Sequence, residues 1–249
     1  MEEISKIYME KLVGDNGFLT VNHDTLNNPN IDFEKVFEDS NSLESNLNGK
    51  TVVSCCEGDL LQTSDTDEPI FTHASISAPN QYQFEQLRDA GKAAYFTEIL
   101  EKYLRFKSDH PDQRMVLCIE LKMPTKKRII SETNVKLISN HLSHKDVYYD
   151  SFFANKLDHL IPIFPKSLHL MANIGNVDFC VNKSRFGYNF VTVPEKTSFG
   201  KYSTSPVIYG AVGSLERLQR CADEENCIGA YTRFKEGSAL KMFAKSIKR

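Results

Sequence analysis

No stretch of the 249 residues comes near twenty consecutive apolar side chains, so no helix is expected to span a bilayer. The opening Met1-Glu-Glu-Ile-Ser-Lys-Ile-Tyr8 lacks the positive segment and apolar run of a secretory leader, which makes a cytoplasmic location the expectation. An excess of basic charge is also missing. The formal net charge is -3, so charge gives no sign of general attraction to nucleic acid or anionic membrane, and an anionic substrate would have to be handled locally. The six cysteines never occur as Cys-x-x-Cys or at paired Cys/His spacing, which disfavours zinc. Cys55, Cys56 and Cys118 fall inside expected strands and are read as reduced, buried thiols. Linkers, internal repeats and low-complexity tracts are absent, and one domain over residues 1–249 is expected. With 41% hydrophobic and 25% charged residues, the chain can bury a full core and is no candidate for disorder.

What is present is an alternation of short β-like runs with amphipathic helices, the pattern of a mostly parallel sheet. Strands are expected at 18–22, 51–56, 115–121, 147–149, 167–171, 190–193, 207–209 and 228–231, with a short extra strand at 70–73. Helical spacing joins Phe33, Val36 and Phe37; Phe96, Ile99, Leu100 and Tyr103; Val135, Ile138 and Leu142, with Thr125 as the expected cap; Phe153, Leu157, Leu160 and Ile161; and Leu215, Leu218 and Ala222 behind Ser214. Eight strands with intervening helices in about 250 residues fit an α/β fold of the (β/α)8 TIM-barrel type. The stretches 75–92 and 173–201 are expected to be loops shaping its entrance.

Two acidic clusters stand at the downstream ends of apolar runs: Glu57-Gly-Asp59 after Thr51–Cys56, and Glu120-x-Lys122 after Met115–Ile119. Side chains two apart in a strand share a face, so each cluster converges. Three carboxylates and an ammonium in one pocket are costly unless paired or holding a cation, and an all-oxygen ligand set suits Mg2+ or Ca2+. His23 and His73 flank these clusters. Alone, each feature has a plainer reading: turn carboxylates, a solvated lysine, a structural histidine. Their joint placement after strands favours a metal-assisted phosphodiester site. His141 and His144 are explained by a helix C-terminus, and His110, His159 and His169 belong to no constellation. Lys126-Lys-Arg128 reads as a solvated turn.

The ordered set His23, Glu57-x-Asp59, Thr63-x-Asp65, His73, Glu120-x-Lys122, Ser151-Phe152 and Gly229-Ala-Tyr-Thr232 resembles the glycerophosphodiester phosphodiesterase family of the phospholipase-C-like barrels. The resemblance implies that Glu57, Asp59 and Glu120 hold the divalent ion, that His23 and His73 are the acid/base pair, and that Lys122 contacts the phosphate. The implied substrate is a small glycerophosphodiester or a lysophospholipid. Four positions depart from the family: Asp24 stands where Arg is usual, and Thr66, Ala74 and Tyr209 where Gly, Asp and Trp are common. The chain contains no Trp at all. Asp24 could add a metal ligand or orient His23, and Arg233 beyond the last strand could restore the missing positive charge, although a solvated side chain is its plainer reading. Sphingomyelinase D-type enzymes, which are similar and also lack that Arg, offer a second substrate class. Two further readings stay open: a barrel that binds phosphorylated ligands without turnover, and a barrel hydrolase that uses its carboxylates as an acid/base pair. Oligomeric state is not legible.

Overall fold

The computed structural model describes residues 13–73, 78–122, 131–143, 145–150, 170–171, 191–194 and 207–232. These residues contain ten strands: β1 (Gly17–Asn22), β2 (Thr51–Gln62), β3 (Pro69–Thr72), β4 (Ala93–Tyr95), β5 (Met115–Leu121), β6 (Val147–Asp150), β7 (Leu170–Met171), β8 (Val191–Pro194), β9 (Val207–Val212) and β10 (Cys227–Thr232). Helices α1 (Phe33–Asn41), α2 (Gln81–Asp89), α3 (Phe96–Asp109), α4 (Glu132–His141) and α5 (Leu215–Asp223) lie between them. Parallel pairing runs in the order β7-β8-β9-β10-β1-β2-β5-β6, and β3 and β4 add an antiparallel excursion to β2. This is the eight-strand α/β succession expected from the sequence. Among the described residues no pairing joins β6 to β7, so the parallel run is not seen to close.

Apolar periodicity explains which faces are buried. In α3, Phe96, Ile99, Leu100, Tyr103 and Phe106 form one buried stripe, and they pack with Leu117, Ile119 and Leu121 of β5 and Phe33 of α1 in one core cluster. Spacings of three and four place such residues on a single helix face. Helix starts are fixed by side-chain caps that accept otherwise unpaired N–H groups. Asp32 caps α1, Ser131 caps α4 and Ser214 caps α5. Helix α1 is further tied to the strands through Ser40 Oγ, which accepts from Asn22 Nδ2 at 3.0 Å and from Ser54 Oγ at 3.1 Å.

Three expectations change. β2 does not stop at Cys56 but continues to Gln62, because β5 and then β3 keep pairing with it. Part of the expected entrance loop at 75–92 is helix α2, started by a capping box in which Asn80 and Gln83 serve each other. The cap of α4 is Ser131, accepting from Asn134 N–H at 3.2 Å, and not Thr125 as expected. Thr125 itself, the helix expected at 153–161, most of the 173–201 stretch and Arg233 lie outside the described residues.

Candidate active site

The site is the upward continuation of an apolar interior. Leu19 and Val21 of β1, Val53 and Cys55 of β2, Val116 and Cys118 of β5, and Tyr148 of β6 pack in one cluster. Two-residue periodicity carries the same faces upward to His23, to Glu57 and Asp59, to Glu120 and Lys122, and to Asp150. Register sets their heights, with Asp59 opposite Glu120 and Glu120 opposite Asp150. Glu57, Asp59, Glu120 and Asp150 are 0%, 1%, 2% and 0% exposed. The described cysteines are all free and buried, and burial raises the thiols of Cys55 and Cys118 well above their ordinary range. They act as small apolar side chains beneath the carboxylates.

A gap in pairing lets the β1–α1 loop reach the acidic row. β1 pairs with β2 only as far as Cys56. Leu60 pairs with Leu121 on one edge and Phe71 on the other, so β3 resumes on the edge that β1 has left. Between them the loop supplies the hydrogen bonds: Leu26 N–H donates to Glu57 O at 3.0 Å, and Asp59 N–H donates to Asn27 Oδ1 at 3.1 Å. Gly58 permits this approach, since a Cβ there would stand 2.5 Å from Leu26 Cβ.

The side chains form a connected polar network. Lys122 Nζ lies 3.0 Å from Asp59 Oδ1 and 2.5 Å from Glu120 Oε1. Asp59 Oδ2 meets His73 Nδ1 at 2.8 Å and accepts from Asn27 Nδ2 at 3.2 Å. His23 Nδ1 is 2.8 Å from Asp24 Oδ2, and the Asp24 N–H donates to Glu57 Oε2 at 2.7 Å. The Tyr231 hydroxyl donates to Asp150 Oδ2 at 2.8 Å, and the Tyr231 ring stands edge-on to His23. All the candidate residues of the described region are therefore brought together: His23, Glu57, Asp59, His73, Glu120 and Lys122. Asn27, Asp150 and Tyr231 were missed, although Asp150 ends the run Val147-Tyr-Tyr and obeys the strand-end rule that singled out Glu120. His110 stands apart with Glu34, 2.9 Å away.

Among the described residues, carboxyl groups outnumber cationic groups in this row. Burial, followed by the nearby Asp59 and Glu120 carboxylates, raises the Glu57 carboxyl well above its ordinary range. Glu120 is pushed up to about 8 by burial and by Asp150, against the opposing pull of Lys122. Burial alone would lower the Lys122 ammonium, but Glu120 and Asp59 outweigh it and leave it raised, hence charged. The cluster demands further positive charge. A divalent ion fits that demand: one ligand oxygen from each of Glu57, Asp59 and Glu120 lies within 4.8 Å of the others, close enough to share one hard cation at about 2.0–2.6 Å per bond. Glu57 Oε1 is buried with no hydrogen-bond partner among the described residues, an expensive condition that an ion relieves.

No family model matches the sequence, and no curated protein matches it significantly. Solved structures do. A candidate glycerophosphoryl diester phosphodiesterase from Agrobacterium tumefaciens is similar in fold over 93% of this chain and 98% of its own, with a TM-score of 0.59 and 12% sequence identity. The likeness shows that the chain has that protein's fold. Among the described residues no helix is long and apolar enough to cross a membrane.

Proposed function

We propose that the chain is a metal-dependent phosphodiesterase that cleaves a glycerophosphodiester or a lysophospholipid head-group bond. The observation that carries this reading is the buried Glu57–Asp59–Glu120 triad, with Lys122 in contact with two of its members. Held by the triad, Mg2+ or Ca2+ would polarise a phosphoryl oxygen and offset the charge that develops on it. Lys122, kept charged by Asp59 and Glu120, offers its ammonium to a second phosphate oxygen. His23 and His73 are held through Nδ1 by Asp24 and Asp59, which leaves Nε2 of each ring for the substrate. One imidazole accepts a proton from the attacking hydroxyl while the other, protonated, gives one to the leaving oxygen. Attack by a substrate hydroxyl would give a cyclic phosphate, and attack by water the open products.

The fold of the Agrobacterium protein supports this reading, as does the excess negative charge of the row. Substrate turnover tests it. Glycerophosphocholine and lysophosphatidylcholine are assayed with Mg2+ or Ca2+ and with chelator, and ion-dependent cleavage of either is the expected result. Full activity in chelator would instead assign the carboxylates to acid/base work, and binding without any turnover would leave a phospho-ligand receptor. Conversion of lysophosphatidylcholine to choline and a lysophosphatidate or its cyclic phosphate, with glycerophosphocholine left intact, would mark sphingomyelinase D-like substrate choice.

A further inference from the structure

Asp24 is one of the positions where the chain departs from the family it resembles, and its surroundings are specific. Its backbone is left-handed, with φ 61°, a conformation that aspartate and asparagine tolerate better than most residues with a Cβ. This twist lets one residue face two ways. The N–H donates to Glu57 Oε2 at 2.7 Å, while the carboxylate turns to the imidazoles, with Oδ2 at 2.8 Å from His23 Nδ1 and Oδ1 at 3.7 Å from His73 Nδ1. Asn27 Nδ2 donates to the same Oδ1 at 3.3 Å and to Asp59 Oδ2 at 3.2 Å, bracing the two acidic side chains against each other.

Resting on the phosphodiesterase reading of this site, we infer that Asp24 is a positioning residue for both imidazoles. Its carboxylate fixes the proton of His23 on Nδ1 and joins Asp59 on the Nδ1 side of His73, so that each ring presents Nε2 to the substrate. An arginine at this position could not act so, because a guanidinium only donates. With Asp24 occupied in this way, the substrate phosphate is left to Lys122 and the ion. A carboxylate behind an imidazole sets the ring's tautomer and orientation without touching the reacting atoms.

The test uses the full-length chain with Mg2+ and two variants. Asp24→Gly keeps the left-handed backbone and its N–H on Glu57 while removing the carboxylate, and Asp24→Asn keeps the shape without the charge. The kcat for glycerophosphocholine is expected to fall by about 10- to 100-fold in Asp24→Gly, with KM within roughly 3-fold and Asp24→Asn between the two. Nitrogen-15 spectra of the histidines, recorded without substrate, should show His23 carrying its proton on Nδ1 in the parent and losing that preference in Asp24→Gly. The affinity for Mg2+, followed by calorimetry, should stay within about 3-fold. An unchanged His23 tautomer in Asp24→Gly overturns the inference. So does a drop in Mg2+ affinity of about tenfold or more with the tautomer retained, since that makes Asp24 an ion ligand. If the parent cleaves no phosphodiester yet the tautomer still shifts, the reading of the site fails while the positioning role stands.

Discussion

The lower and upper parts of the same strands are equally buried and follow opposite rules. Low on β1, β2 and β5, Leu19, Val21, Val53, Cys55, Val116 and Cys118 fill space, and their burial stabilises the fold directly. One step higher, Glu57, Asp59 and Glu120 are as inaccessible to water, but their mutual repulsion works against folding. Among the described residues Lys122, the histidines and the loop at Asp24–Asn27 offset it. Depth of burial therefore does not separate core from site here. The separation lies in whether a group's demand for partners is met by the chain alone.

The strongest way to break this comparison is to neutralise the upper layer without changing its shape. Glu120→Gln and Glu57→Gln should each lower phosphodiester turnover by about 10³-fold or more, while the ion-free melting temperature stays level or rises. Calorimetry in chelator beside a turnover assay decides it. A midpoint lowered by about 10 °C, several kcal/mol for a chain of this size, would make the row a structural element instead.

Applied to the lower layer, truncation should do the reverse. Leu19 is fully buried, and Leu19→Ala should destabilise by about 2–5 kcal/mol through lost burial and a residual cavity. Turnover per folded molecule should remain close to the parent's, as read by active-site titration at a temperature well below the midpoint. The join between the layers is sharper still. Gly58→Ala would press a Cβ against Leu26 Cβ at 2.5 Å and Phe71 Cδ1 at 3.1 Å, an overpacking worth about 1–3 kcal/mol. It should also depress activity by pushing Asn27 off Asp59. Adding Leu26→Ala to Gly58→Ala should recover part of both losses, and a strictly additive double mutant would show that the clash is not the cause.

Period-two patterning explains what could be read in advance. Glu57, Asp59, Glu120 and Lys122 sit at the tops of apolar runs, and their side-chain direction follows from strand geometry alone. The eight parallel strands and β3 were legible for the same reason, and the buried faces of α1, α3, α4 and α5 from spacings of three and four, whereas β4 (Ala93–Tyr95) was not expected. The continuation of β2 to Gln62 was not, because glutamates and aspartates within a strand read as its end unless a partner such as β5 is known to run alongside. Helix α2 carried a legible signal, Asn80 followed by Gln83, with only Phe84 buried on its face to supply apolar periodicity. Asn27 could not have been found from spacing. Its role depends on the gap between β1 and β3 on one edge of β2, a tertiary fact.

The smallest effect separates the two layers by pH. Glu120 has its carboxyl raised from the ordinary 4.5 to about 8, and Glu57 is raised as well, so the folded chain retains protons that the unfolded chain has already released. Wherever the native state binds more protons, stability falls as pH rises. The stability associated with these groups is thus full below about pH 4.5 and is lost progressively as pH climbs through about 8. Between pH 6 and 8.5 the ion-free melting temperature should drop by about 3 °C or more, equivalent to roughly 1 kcal/mol. Added Mg2+ competes with those protons, so the stabilisation it confers should grow over the same interval. Comparing the parent with the Glu57→Gln, Glu120→Gln double variant isolates the contribution of these two carboxyl groups. A slope of equal steepness in the two proteins would mean that the upper layer carries no excess charge, and the contrast with the apolar layer beneath it would vanish.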